Sequence, residues 1–189
     1  MTNTCPLSNN TTVYVDQFQS TLKEMMDQMS SVMVTESISA SFIRQMIPHH
    51  RAAIAMSQNL LRFTTNIALQ NIALNIISSQ EKSIENMTAA YMRCQSCMNY
   101  PREVFYYKRG NDPIISNMFC EMQSACTDNN IDTNFIREMI PHHRGAVQMS
   151  ENALRFRLCP ELIPLLDAII VSQKEGIQQM QQLLCQLEC

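Results

Sequence analysis

The chain has 189 residues, a formal net charge of −3, 46% hydrophobic residues, three glycines and no tryptophan. That length is enough for one ordinary domain with a real core, and scarce glycine beside abundant Leu, Ile, Met and Gln points to an all-α protein. The mild acidity and the lack of a basic run or an RNA-binding aromatic motif argue against a nucleic-acid partner. The lack of ~18 uninterrupted apolar residues argues against a membrane span.

The opening MTNTCPLSNN has neither the basic flank nor the apolar stretch of a secretory signal. A cytoplasmic protein is therefore expected, or a secreted one if the chain is a processed form. Val15, Phe18, Leu22, Met25, Met29 and Met33 recur at three- and four-residue spacing, which predicts a first amphipathic helix. Ser39 or Ser41 can cap a second, from about Ser41 to Phe63, and Thr64–Asn66 make a short break. A third helix is expected to run to about Cys97, with Leu69, Ile72, Ala73, Ile76, Ile77, Ile84, Met87 and Tyr91 on its inner side. Asn99–Pro113, with Pro101, Gly110 and Pro113, reads as a connecting segment. Three more helices follow: a shorter one over Asn117–Ala125, one over Asn134–Arg157, and one that Pro160 begins.

The second set copies the first. Displaced by 142 − 49 = 93 positions, Phe42–Ser57 lies over Phe135–Ser150 without a gap and with 12 of 16 positions identical. The register extends outward, with Met25 over Met118, Met29 over Met122, Gln80 over Gln173, Ile84 over Ile177 and Met87 over Met180. A duplication of this length sets the architecture. Repeat one spans 13–105 and repeat two 106–189, packed as a pseudo-twofold pair in a single domain. Two long antiparallel hairpins joined by a long connection predict a ferritin-like four-helix bundle with extra N-terminal and connecting helices.

All four histidines lie in the two copies of MIPHHR, at Met46–Arg51 and Met139–Arg144. On a helix advancing ~100° per residue, with His49 at zero, Met56 lies near about −20°, Met46 near about +60° and His50 near about +100°. His49, Met46 and Met56 thus share the stripe facing the core, and His50 stands at its rim, while Arg44, Arg51 and Gln58 lie opposite. His142, Met139, Met149 and His143 repeat the pattern. Pro48 and Pro141 remove a helical donor and crowd the carbonyls of Arg44 and Arg137, at ~3 kcal/mol or more, so a kink or a break is expected at each.

Doubled histidines flanked by methionines suit Cu(I), or Zn(II) with water. The competing reading is hydrogen bonding alone, for which Gln80 and Gln173 on the third helix of each repeat are natural partners. Catalysis ranks last. No Glu-x-x-His pair occurs, Glu138 stands four before His142 but its counterpart is Gln45, and no nucleophile or phosphate-loop motif is present. Eight cysteines include Cys94-x-x-Cys97 and Cys185-x-x-x-Cys189, each without the second half that a zinc finger supplies, and inert thiols are favoured over zinc. Fifteen methionines fit either soft core packing or thioether coordination.

The pattern F-x-x-x-M-I-P-H-H-x-x-A-x-x-M, followed by Gln and then Ile-x-x-Met, resembles the bacterial domain-of-unknown-function family 305, from about Val13 to Leu187. That resemblance implies a ferritin-like bundle and, for some members, copper binding and copper tolerance through His and Met side chains. It marks Phe42, Met46, His49, His50 and Met56, with Gln80, Ile84 and Met87 on the third helix. The second set is Phe135, Met139, His142, His143 and Met149, with Gln173, Ile177 and Met180. Where the family commonly has a glutamate before that isoleucine, this chain has Ser83 and Gly176, which leaves a softer environment.

The expected function is copper binding for sequestration or tolerance, not turnover. His49, His50, His142 and His143 are the principal ligands, and Met46, Met56, Met139 and Met149 are thioether partners. Gln80, Gln173, Met87 and Met180 stand behind them, zinc is the alternative ion, and a homo-oligomer is allowed. The alternatives are a helical structural or interaction protein whose histidines satisfy core hydrogen bonds, and a ferritin-like di-metal redox enzyme.

Overall fold

The computed structural model describes residues 6–188. The first five residues of the segment read for a signal, and Cys189 of the second cysteine pair, lie outside the described residues. Among the described residues all regular structure is helical: α1 Asn9–Ser31, α2 Ile38–Leu60, α3 Ile67–Gln95, α4 Pro101–Gln123, α5 Ile131–Ala153 and α6 Ile163–Glu188.

Short polar side chains start most of these helices by accepting from otherwise unpaired backbone donors. Ser8 Oγ accepts from Thr11 N at 3.2 Å, Ser37 Oγ from Ala40 N at 3.1 Å and Asn66 Oδ1 from Leu69 N at 3.1 Å. Asn130 Oδ1 takes both Asp132 N and Thr133 N. The second helix therefore begins at Ser37 rather than at Ser39 or Ser41. Ser41 Oγ bonds back to the Ser37 carbonyl at 2.8 Å, a contact available only inside the first turn.

The contacts set the layout. α2 packs on α3, α3 on α6, α6 on α5 and α5 on α2, which closes a cycle of four helices; α1 covers α2 and α4 covers α5. One core takes residues from all six, including Phe18 and Met25, Met46 and Met56, Ile72 and Met87, Met118 and Met122, Met139 and Met149, and Ile169 and Met180. Among the described residues no helix is long and apolar enough to cross a membrane.

Two expectations fail at proline and glycine. The segment read as a connection is the first half of α4. Pro101 occupies the first helical turn, where its missing donor costs nothing, and Glu103 Oε2 accepts from Tyr100 N at 2.9 Å. Gly110 serves close packing: a Cβ there would sit 2.4 Å from Asn152 Oδ1, whose side-chain amide donates to the Tyr107 carbonyl at 3.2 Å. The fourth helix is accordingly long, not confined to Asn117–Ala125. The last helix begins at Ile163, past Pro160, with Pro164 in its first turn.

Pro48 and Pro141 interrupt neither α2 nor α5, so a break is ruled out. Burial of the neighbouring Phe42, Ile43, Met46, Ala53 and Met56 holds α2 together across the proline. Arg44, Arg51 and Gln58 are exposed, as the helical phase requires.

Candidate metal centre

The pairing of α2 with α5 brings the two MIPHHR segments together. The rings of His49 and His142 stack with centroids 3.7 Å apart and planes inclined by 28°. His50 lies 5.9 Å from His49, and His143 lies 5.9 Å from His142. All four imidazoles thus form one connected chain, joined in the middle across the helix interface.

Backbone contacts fix the inner pair. His49 Nε2 lies 3.2 Å from the His142 carbonyl, and His142 Nε2 lies 3.1 Å from the His49 carbonyl. A carbonyl only accepts, so each Nε2 carries the proton and donates. In a neutral ring the lone pair then resides on Nδ1. Both Nδ1 atoms are buried and find no hydrogen-bond partner among the described residues.

The outer pair differs between the two halves. His50 Nε2 is 3.0 Å from Ser83 Oγ. Its counterpart His143 faces Gly176, where a Cβ would come within 3.0 Å of Cδ2 and 3.1 Å of Nε2. The serine supplies a hydrogen bond and the glycine supplies room. Their Nδ1 atoms are also buried without a partner among the described residues.

His50 and His143 were expected at the rim, yet they are 1% and 2% exposed. The helical phase is as expected, but α3 and α6 pack over the edge of the stripe and cover it. Grooves run between those two helices, one lined by His50, Gln80 and Ser83, the other by His143, Gln173 and Gly176. The outer histidines are therefore the members nearest solvent.

Burial pushes all four imidazoles below the ordinary histidine range, to about 3 for His50 and about 4 for His142. The neighbouring imidazoles push His49, His50 and His143 down further. The cluster is neutral at physiological pH, the state in which imidazole ligates a metal.

Met46, Met56, Met139, Met149, Met87 and Met180 are all buried, as are Gln80 and Gln173. The glutamines do not bond the histidines. Both polar atoms of Gln80 and Oε1 of Gln173 find no partner among the described residues. Among the described residues no three His, Cys, Asp or Glu side chains stand as a ready-made metal-holding group. The stacked rings hold each other by the backbone instead of opening around a common point.

Glu138, one turn before His142, is engaged elsewhere. It accepts the Tyr14 hydroxyl at 2.5 Å, and burial lifts its carboxyl to about 8. Its counterpart Gln45 accepts from Asn111 at 2.9 Å. The Tyr14–Glu138 contact has no signal in the sequence, because nothing in the spacing joins α1 to α5.

An all-α fold with paired histidines buried between equivalent helices defines the class. The sequence matches Domain of unknown function (DUF305) over residues 8–93 and 107–184, and the chain belongs to that family. Among curated proteins none matches. The chain is similar to CopM in its Cu(II)-bound form, with 32% identity and a TM-score of 0.60 over 79% of this chain and 97% of that one. It is likewise similar to CopM in the Cu(I)-bound form, with 34% identity and a TM-score of 0.56 over 76% of this chain and 93% of that one. A DUF305 fragment from Deinococcus radiodurans, 24% identical, shares the fold with a TM-score of 0.58 over 79% of this chain and 96% of that one.

Proposed function

We propose that this chain binds copper, as Cu(I), at the chain of four imidazoles, and serves to sequester or pass on the ion without turnover. The observation that carries the reading is the four Nδ1 atoms buried with no partner among the described residues, with the lone pair fixed on Nδ1 in His49 and His142 by the backbone contacts of their Nε2 atoms. An unpaired buried polar atom costs about 1–3 kcal/mol, and a core with four of them on four neighbouring imidazoles makes sense as a set of ligands. Hydrogen bonding alone accounts for the Nε2 atoms of His49, His142 and His50 and leaves all four Nδ1 atoms unmatched.

Thioether sulfur is a soft donor and neutral imidazole a borderline one, and the positions equivalent to a family carboxylate hold Ser83 and Gly176. That donor set favours Cu(I) over Zn(II). Similarity to CopM, described with Cu(I), Cu(II) and Ag bound, supports the same choice. His49 and His142 are the inner ligands through Nδ1, while Met46, Met56, Met139 and Met149 supply thioethers from the same core stripe. His50 and His143, at the grooves, are where an ion enters.

Glutamine at positions 49 and 142 tests this directly, because its amide can still donate to the opposite carbonyl while the Nδ1 lone pair is gone. The His49→Gln/His142→Gln protein should fold and lose at least about ten-fold in Cu(I) affinity against a competing chelator, corresponding to about 1.4 kcal/mol. In the unaltered protein, the ring ¹⁵N resonances of Nδ1 in His49 and His142 should shift on adding Cu(I) while Nε2 stays protonated. Nδ1 resonances unchanged by Cu(I) would overturn the assignment.

A further inference from the structure

The two outer histidines are equivalent by the repeat, yet the helices that cover them present different surfaces at the equivalent positions, 176 − 83 = 93. Ser83 of α3 ties His50, with Oγ 3.0 Å from Nε2. Gly176 of α6 has no side chain to offer His143. One added carbon there would come within 3.0 Å of the ring's Cδ2 and 3.1 Å of its Nε2. One ring is anchored to its cover, and the other faces bare backbone.

The grooves between α3 and α6 differ in the same sense. The one at His50 has a volume of about 230 Å³, and the one at His143, with Gly176 in its wall, about 420 Å³. Lys82 borders both, but Glu85 pairs with it at 2.7 Å. Glu175 borders only the larger groove, which is therefore the one whose charge balance attracts a cation. Gln173 borders both and is 3% exposed, with Oε1 buried and unpartnered among the described residues. A carbonyl oxygen so placed can replace a water that an entering ion sheds. It is too hard a donor to retain a soft ion, which suits a point of passage.

We propose that His143 is the entrance that sets the rate of Cu(I) uptake. The ion passes Glu175 and Gln173, crosses the bare backbone of Gly176 and meets His143 as its first ligand. Ser83 holds the His50 side nearly shut, because passage there must first break its hydrogen bond to the ring. From His143 the ion moves by ligand exchange to His142, whose ring centre is 5.9 Å away. The route rests on the reading of the imidazole chain as a copper site. The opening itself belongs to the metal-free protein, so it is tested without metal as well.

Diethyl pyrocarbonate, which acylates neutral imidazole, reports the opening in the metal-free chain. Peptide mass spectrometry should show His143 modified well ahead of His50, His49 and His142. Gly176→Ala removes no ligand and favours the helix, while its methyl group closes on the His143 ring. It should suppress that modification. Ser83→Gly should expose His50.

Uptake is read by anaerobic stopped flow, as loss of the coloured Cu(I)–bicinchoninate complex, where the rate still rises with protein concentration. Gly176→Ala should slow it at least about ten-fold with equilibrium affinity unchanged, since a barrier on the path slows entry and exit alike. Ser83→Gly/Gly176→Ala should regain the rate through the His50 side. Equal modification of His50 and His143, a Gly176→Ala rate equal to that of the unaltered chain, or a double variant no faster than Gly176→Ala would overturn the proposal. A chain with the expected order of modification that takes up no Cu(I) at its histidines would overturn the copper reading, and with it the ion as the occupant of this entrance.

Discussion

His49 and His142 hold each other through the backbone, each Nε2–H donating to the other's carbonyl at 3.2 and 3.1 Å while the rings stack at 3.7 Å. The same contact that ties α2 to α5 also sets both tautomers. It joins stability to ligand chemistry, because the protons spent on the carbonyls leave Nδ1 as the only lone pair in each ring.

The metal-free protein should lose stability in mild acid. All four imidazoles have folded pKa values below the ordinary 6.5, with His142 at about 4 and His50 at about 3. The folded state thus prefers them neutral. The contribution is fully present above pH 6.5 and is lost as pH falls through the folded values. Urea midpoints should drop between pH 7 and pH 5 by the equivalent of a few kcal/mol, since each tenfold fall in proton affinity on folding is worth about 1.4 kcal/mol. The protein with all four histidines replaced by glutamine should show a much flatter acid limb. Equal slopes in the two proteins would contradict burial of neutral imidazole as the cause.

Glu138 should act in the opposite direction. Its folded pKa of about 8 lies above the ordinary 4.5, so its contribution is full below pH 4.5 and fades as pH rises through about 8. Between pH 4.5 and 6.5 one carboxyl opposes four imidazoles and is outweighed. Above pH 7 it dominates, and Glu138→Gln should remove much of the stability loss between pH 7 and 9. Tyr14→Phe strips the carboxyl of its hydroxyl donor and should cost about 1–3 kcal/mol. Unfolding curves of both variants across this range check the assignment.

Ser83→Ala isolates the difference between the outer histidines. It removes the 3.0 Å contact to His50 Nε2 and leaves a buried ring without that partner. A loss of about 1 kcal/mol is expected by urea unfolding. Gly176, which offers His143 no hydrogen bond, provides no equivalent interaction to remove.

The helices and the inward stripe are legible in the sequence because they depend on local period: Met46, His49 and Met56 share a face whatever surrounds them. The 93-residue offset shows that Met139, His142 and Met149 repeat it. Long-range features leave no such trace. The cover over His50 and His143 comes from α3 and α6, and the phase of α2 does not contain it. Pro101 and Gly110 read as loop signals, yet Pro101 sits in the first turn of α4, where its missing donor costs nothing, and Gly110 lies against Asn152 of another helix, which the sequence does not place there. The tautomers of His49 and His142 depend on carbonyls 93 residues away.

Gly145 accounts for one of the few differences between the two histidine helices. Its counterpart is Ala52, which lines a groove with Met25, so that half has room for a methyl group. In the second half the side chain of Met118, the counterpart of Met25, lies across Gly145. A Cβ at Gly145 would fall 2.2 Å from Met118 Sδ and 2.8 Å from its Cγ. Alanine normally gains about 1 kcal/mol over glycine in a helix interior. Here overpacking of about 1–3 kcal/mol opposes that gain, so Gly145→Ala should destabilise the protein or leave it no better. Met118→Ala removes the obstruction at the expense of a cavity, and in that background Gly145→Ala should become stabilising. A double-mutant cycle read by urea unfolding should return a coupling of about 0.5–3 kcal/mol, and strictly additive effects would show that the methionine yields freely.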